Sequence, residues 1–408
     1  MTKTRHGFKR RPSRFPDGTN STSTKQLNIY CAHYKIQLNS WYYFRRSACA
    51  ESSMSLRVRN IVTRNSSFME RPVRGPLAGV ENAVSSVDAI IPCYQYGHFL
   101  KECADSILKQ CGSELRLLII DDASTDNTPQ VAQELVRADP RVEYRRHSVN
   151  RGHIATFNEG IAWAAADYMI LLSADDYLMP GAIERSVRLM DEHPTVGLTF
   201  GGAVALYQGR EEVVASPPEL GSGTKILSGR DFIRIGGARN MVVAPTVVVR
   251  TNLQKKVGGY LPDLTHSGDM EMWLRFAAHG SVAFIDAIQA VYRRHSTNMS
   301  GGYSAEQDFF QRRLALEHFL ESCSEVLPDV NDVRSWLMGR LALDAISCAS
   351  RAFNEGDVEL SDRLSAIASK LDPAVTKSRR WWLLACKRQL GSRGWQLLRP
   401  AIERLRTM

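Results

Sequence analysis

The chain has 408 residues, 44% of them hydrophobic, and a formal net charge of +9 at pH 7, which suits a globular protein with room for two domains and a substantial core. The charge is uneven: residues 1–80 carry 15 Lys+Arg against 3 Asp+Glu, residues 377–408 carry 9 against 1, and 81–376 carry 28 against 39. The central body is therefore acidic and has the wrong sign for a nucleic-acid partner.

Eight cysteines occur, with no CxxC pair and no Cys/His spacing of a zinc site, so reduced thiols in a cytoplasmic protein are expected. No apolar run approaches the ~18–20 residues of a membrane span, and the first residues lack the apolar core of a secretory signal.

In chain order, residues 1–80 are rich in Arg, Ser, Thr and Asn with weak periodicity. They read as a disordered basic tail, as an extension from a wrongly assigned start (Met54 and Met69 lie just upstream of the regular part), or as an organelle transit peptide. From Val84 strand and helix alternate. Val87–Ile91 is an expected strand, 99–110 a helix, Leu115–Ile120 a strand ending in Asp121-Asp122, and 128–138 a helix with Pro129 in its first turn. A short strand at 142–144, a helix at 154–166 and a strand at 168–172 follow. This alternation predicts an α/β domain with a largely parallel sheet, whose ligands bind beyond the carboxyl ends of the strands. Further on, 197–207 and 241–250 read as strands and 270–278 as a helix. Residues 304–370 read as amphipathic helix, broken near Leu327-Pro328 and at Asn354-Glu-Gly356.

Two strand ends are acidic. In 170–177, Ile-Leu-Leu-Ser-Ala-Asp-Asp-Tyr, an apolar run meets Asp175 and Asp176. Adjacent anions repel, and a hard divalent cation, completing its shell with water and phosphate, is the natural counter-charge; a solvated turn with a capping Asp is the plainer alternative. In 119–128, Ile-Ile-Asp-Asp-Ala-Ser-Thr-Asp-Asn-Thr, a carboxylate is placed where it can accept from a nucleobase imide N–H, which uracil, thymine and guanine all offer. Ser124 to Thr128 can cap the following helix.

Residues 85–300 resemble an inverting family 2 glycosyltransferase of GT-A fold. Six pieces carry the resemblance, in order: Ile90-Ile-Pro92-Cys-Tyr94; Ile119 to Thr128; Asn150-Arg-Gly152 with Asn158-Glu-Gly160; Leu171 to Asp176; Gly268-Asp-Met-Glu-Met-Trp273-Leu-Arg275; and Tyr292-Arg-Arg-His295 through Ser300. The resemblance implies an α/β GT-A, Rossmann-like nucleotide-diphospho-sugar transferase domain over 84–303. A helical extension at 304–376 and a basic, Trp-containing amphipathic segment at 377–408 would follow it. It implies a nucleotide-sugar donor, UDP-linked, and a saccharide or lipid-linked saccharide acceptor in bacterial polysaccharide or envelope glycan synthesis. Asp122 corresponds to the base-contacting carboxylate, and Pro92 and Tyr94 to the walls of the base pocket. Asn158 and Asp175 correspond to nucleotide-sugar contacts, Asp176 to the ligand of Mg²⁺ or Mn²⁺, Asp269 to the catalytic base, and His295 to the segment that closes over the diphosphate.

The chain departs from the family pattern at four positions: Ser173 and Gly268 replace common acids, Glu271 a common Asp, and Phe157 a common Arg. A degenerate domain that binds sugar nucleotide without transferring it is the alternative this leaves open. Plainer roles exist too: Asp269 as a helix N-terminal charge, His295 as a loop histidine, Trp273 as core packing, and Asp121 as structural. In 377–408, Trp381, Trp382 and Trp395 among Lys and Arg suit either a helix on an anionic membrane surface, on the inner face, or a basic helix packed on the body.

Overall fold

The computed structural model describes residues 84–407, apart from 208–209, 215–216, 218–219 and 297. The expectation for residues 1–80 lies outside the described residues. Ten strands occur among those described: β1 (Ser86–Cys93), β2 (Glu114–Asp121), β3 (Val142–Arg146), β4 (Tyr168–Leu171), β5 (Tyr177–Leu178), β6 (Val196–Tyr207), β7 (Arg210–Val214), β8 (Lys225–Leu227), β9 (Val248–Arg250) and β10 (Ser281–Arg294). They form one sheet in the order β3-β2-β1-β4-β9-β6-β10-β5, with β7 added to β6 and β8 to β10. The first four are parallel neighbours, as the βα alternation predicts. Beyond β4 the sheet is mixed: β9 runs antiparallel to β4 and β6, and β10 parallel to β6.

Seven helices accompany these strands: α1 (Gly97–Leu108), α2 (Thr128–Ala138), α3 (His153–Trp163), α4 (Ala182–Glu192), α5 (Gly229–Gly236), α6 (Thr251–Val257) and α7 (Gly268–His279). The strand expected over 241–250 survives only as β9. Pro245 lacks the N–H a ladder needs, and a 3₁₀ turn, Ala244–Thr246, occupies its place. Strand β10 and helix α4 were not expected from the sequence.

Successive residues of β1 serve opposite faces of the sheet. Val87, Ala89, Ile91 and Cys93 join one core with Leu117 and Ile119, while Ile90 joins the other with Leu118 and Ile120. Helix α3 lies hard against β1: a Cβ on Gly160 would stand 2.4 Å from Ile90 Cγ2. Asp88, fully buried in β1, is held by Arg116 Nε and Nη2 at 2.8 and 2.7 Å and accepts from the backbone N–H of Ala165 and Ala166 at 2.6 and 2.9 Å. This anchors the α3–β4 turn to the sheet.

The C-terminal part is helical: α8 (Ala305–Ser322), α9 (Val330–Glu355), α10 (Val358–Leu371) and α11 (Arg379–Thr407), which is broken by a kink at Gly391 with φ 70°. A reciprocal Ser304–Gln307 capping box starts α8. Gly356, with φ 92°, ends α9 where the sequence predicts a break. Phe309, Leu316, Phe319, Leu337, Leu341 and Ile346 share one core with Phe200, Trp273 and Phe276, so the extension is built onto the sheet layer. None of the six cysteines among the described residues is in a disulfide.

Candidate active site

The loops after β1, β2 and β4 leave the same edge of the sheet, since Cys93 pairs with Asp121 and Ile90 with Leu171. At the end of β1 the chain turns through Gln95, and after β2 through Ala123, both with positive φ (61° and 62°). The two turns are sewn together. Ser124 Oγ accepts from Gln95 N at 3.0 Å, Asp126 Oδ2 accepts from Gly97 N at 3.0 Å, and Gln95 Nε2 donates to Thr125 Oγ1 at 2.8 Å. Asp126 Oδ1 accepts from Thr128 N at 3.0 Å, capping α2 from within the expected segment. Tyr94 is 47% exposed at this edge, whereas Pro92 is buried within β1.

Asp121 and Asp122 hold different loops. Asp121 is wholly buried and accepts from Ser124 N at 2.8 Å and Tyr144 Oη at 2.9 Å, a structural post. Asp122 Oδ1 accepts from Arg151 N at 2.7 Å and Oδ2 from Gly152 N at 2.9 Å, at the entry to α3. His147 Nδ1 lies 2.7 Å from Asp122 Oδ1, and its Nε2 lies 3.0 Å from Glu159 Oε2. Asp122 thus locks the loop after β3 to the end of β2.

Asp175 and Asp176 follow β4 and are 6% and 2% exposed. Asp176 Oδ1 accepts from Arg293 N at 2.9 Å. Asp175 Oδ2 faces His295 Nε2 at 3.2 Å and accepts from Asn298 Nδ2 at 3.0 Å. Burial, and then the neighbouring Asp175 charge, hold the Asp176 carboxyl well above the usual range; burial raises Asp175 as well, against the pull of His295. Two adjacent buried oxygen donors of this kind fit a hard divalent cation, which favours their ionised forms. Among the described residues no three His, Cys, Asp or Glu side chains cluster as a metal cage. A site of this kind would therefore draw its remaining ligands from water and substrate.

Sequence reading passed over Arg293, which organises this corner. Its Nη1 donates to Asp175 O at 2.8 Å, its guanidinium lies 4.8 Å from the ring centroids of both Phe99 and Tyr177, and it pairs with Glu102. The signal was present in the segment 292–300, where Arg293 is two residues from His295. His295 itself stacks on Phe99 at 5.5 Å and meets Tyr96 edge-on at 5.4 Å.

Asp269 occupies the first turn of α7, partly buried, and its Oδ1 accepts from Tyr260 Oη at 2.9 Å. Burial raises its pKa above the ordinary aspartate value, while the Tyr260 hydrogen bond and the nearby His266 pull it down. Asn158 makes a two-point bond to the backbone of Tyr260, Nδ2 to O at 2.9 Å and Oδ1 from N at 2.7 Å. His153, at the start of α3, adjoins Thr265 and feels the Asp122 charge. A chain of contacts therefore runs from Asp175 and His295, through the sewn turns, to Asp122, α3 and Asp269.

Two departures noted in the sequence meet here. Phe157 packs against Tyr260 with ring centroids 5.3 Å apart, and a Cβ on Gly268 would stand 3.1 Å from Tyr260 Cδ1. Glu271 is buried against Arg275 Nε and Nη2 at 2.9 and 2.7 Å, and Trp273 lies in the core.

Residues 88–231 match the Glycosyl transferase family 2 model. This segment is a family 2 glycosyltransferase domain. An uncharacterized glycosyltransferase of Haemophilus influenzae is 22% identical to it over 252 residues, 61% of this chain and 78% of that protein. Hyaluronan synthase of Pasteurella multocida is 36% identical over 119 residues, 29% of this glycosyltransferase but 12% of the synthase. Residues 1–349 of S. aureus TarS, solved in complex with UDP-GlcNAc, superpose with a TM-score of 0.50 at 14% identity. The match covers 72% of the present chain and 92% of that one, a likeness of fold.

Proposed function

We propose that this glycosyltransferase moves a sugar from a UDP-sugar to a hydroxyl of a saccharide or lipid-linked saccharide, with inversion, in bacterial polysaccharide or envelope glycan synthesis. The supporting observations are that Asp122 and the Asp175–Asp176 pair follow neighbouring parallel strands, and that Asp269, at the head of α7, is tied through Tyr260 and Asn158 to α3, whose entry Asp122 holds. The glycosyltransferase-named relatives favour nucleotide-sugar chemistry, and the UDP-GlcNAc bound by TarS favours UDP.

In this reading Asp269 takes the proton of the acceptor hydroxyl as its oxygen bonds to the anomeric carbon. The bond from that carbon to the diphosphate breaks on the far side, and UDP leaves with the electron pair. Base assistance of this kind is worth ~10²–10⁴-fold. Tyr94, exposed at the mouth, and Pro92 beneath it wall the base, and Asp122 reads its imide N–H while holding Arg151 and Gly152. Asp175 and His295 act on the nucleotide-sugar side, His295 from the segment that closes over the diphosphate, and Asn158, whose amide clasps the Tyr260 backbone, serves that side only through the loop it holds. Asp176 would hold Mg²⁺ or Mn²⁺, whose Lewis acidity would offset charge on the departing diphosphate.

A panel of UDP-sugars, each with Mn²⁺, is the test. Asp269→Asn is expected to keep thermal stabilisation by UDP with Mn²⁺ and to lose at least about 100-fold in turnover. Asp176→Asn is expected to lose the Mn²⁺-dependent part of that stabilisation. Normal turnover by Asp269→Asn refutes the base; UDP stabilisation with no turnover of any sugar by the wild type marks the degenerate domain instead.

The same reading puts α11 on an anionic membrane surface. Its outward residues Trp382, Leu383, Leu390 and Leu397 are 63%, 41%, 48% and 82% exposed, in a segment with nine basic residues and one acidic. Among the described residues no helix is long and apolar enough to cross a membrane.

A further inference from the structure

We propose that Tyr260 is the positioning residue that aims Asp269 at the acceptor hydroxyl, an inference that rests on Asp269 being the base. The phenol is 9% exposed, and its hydroxyl reaches Asp269 Oδ1 at 2.9 Å. A buried hydroxyl given to a carboxylate is a charge-assisted bond, and it fixes which oxygen is free to take a proton. Every side of the phenol is fixed. Asn158 clasps its backbone at 2.7 and 2.9 Å, and Phe157 covers its ring. Gly268 leaves room for the ring that a larger residue would fill, its missing Cβ lying 3.1 Å from Cδ1. Gly259 lets Asn158 approach, since a Cβ there would stand 2.3 Å from Asn158 Oδ1. One tyrosine thus uses two consecutive α3 residues and two glycines, and its hydroxyl does nothing but face the proposed base.

The loop that leads into Asp269 is held by α8. His266 N donates to Gln311 Oε1 at 3.0 Å, His266 Nε2 lies 3.1 Å from Asp308 Oδ1, and Tyr303 stacks on the imidazole at 4.1 Å. Gln311 Nε2 also donates to Asp263 O at 3.0 Å. The loop before α7 is therefore pinned to the helical extension. The ionisable groups around Asp269 are Tyr260, His266 with Asp308 and Arg312 behind it, and the Glu271–Arg275 pair along α7.

Tyr260→Phe removes the hydroxyl and nothing else. With a UDP-sugar that the wild type turns over, kcat is expected to fall roughly tenfold while donor KM stays unchanged, because one charge-assisted bond to the base is lost. The acid limb of the kcat profile is expected to move to higher pH, since the carboxylate form of Asp269 loses a donor. The same displacement is read without any donor in the ¹³C carboxyl titration of Asp269. His266→Gln, at the other support, is expected to move that titration the same way. Tyr260→Phe with wild-type kcat and an unmoved Asp269 titration overturns the proposal. An active Asp269→Asn would overturn the base itself, so the two failures are distinguishable: an inactive Asp269→Asn beside an unchanged Tyr260→Phe removes only the positioning role.

Discussion

At the scale of single residues, what matters is how each carboxylate is paid for in hydrogen bonds. Asp121 and Asp88 have donors on both oxygens and hold turns in place. Asp176 and Asp269 each have one strong donor to one oxygen and sit where burial raises the pKa. This has a pH consequence. A base must be ionised to act, and burial places the Asp269 pKa above the ordinary 3.8. The expected kcat profile therefore falls about tenfold per unit as pH drops through that raised value and levels off above it. A kcat that instead rises toward acid would assign Asp269 the wrong protonation state. The sequence could name Asp121, Asp176 and Asp269 because the motifs around them are contiguous, but it did not single out Asp88. It could not show that Asn158 grips Tyr260, because those two residues lie 102 positions apart.

At the scale of elements, the βα alternation was readable wherever one strand was followed by one helix. β1, β2, β4, α1, α2 and α3 appear within a few residues of where apolar spacing places them. In the second half of the sheet β6 appears where 197–207 was read as a strand, but β10 was hidden. β10 runs 14 residues with polar members such as Gln289 and Arg293, and both are buried because helix α4 satisfies Gln289 while Asp175 and Glu102 satisfy Arg293. Such polar burial gives no hydrophobic signature. The α3–β1 contact makes a prediction at this scale: Gly160→Ala should push α3 off Ile90 and cost about 1–3 kcal/mol, measured by urea unfolding. Since α3 also presents Asn158 to Tyr260 and meets Asp122 at its entry, activity should fall with it. An unchanged midpoint would show that the helix has slack.

At the scale of the molecule, the helical extension and the sheet share one core, so the extension buttresses the site loop from α8. The breaks at Leu327-Pro328 and Gly356 were legible because proline and αL glycine are local signals; the docking of α8 onto His266 was not. Helix α11 resolves its own ambiguity only in three dimensions. Trp381 and Leu384 pack on the core, and Lys387 and Arg388 turn inward to Ser350, Asn354, Ser361 and Ser365. Trp382, Leu383 and Leu390 turn outward. Trp382→Glu with Leu383→Glu leaves the packed face intact. In flotation with vesicles containing anionic lipid, the doubly substituted protein is expected to stay at the bottom while the wild type floats; equal flotation removes the membrane contact.

The sequence by itself determined the α/β alternation, the acidic strand ends and the family, because these are carried by neighbours in the chain and by the period of apolar residues. Only the tertiary structure decided which carboxylates are spent on structure, which tyrosine faces Asp269, and which side of α11 meets solvent. Those outcomes depend on donors brought from tens to hundreds of residues away. Burial and hydrogen bonding are properties of the packed molecule, and no local pattern encodes them.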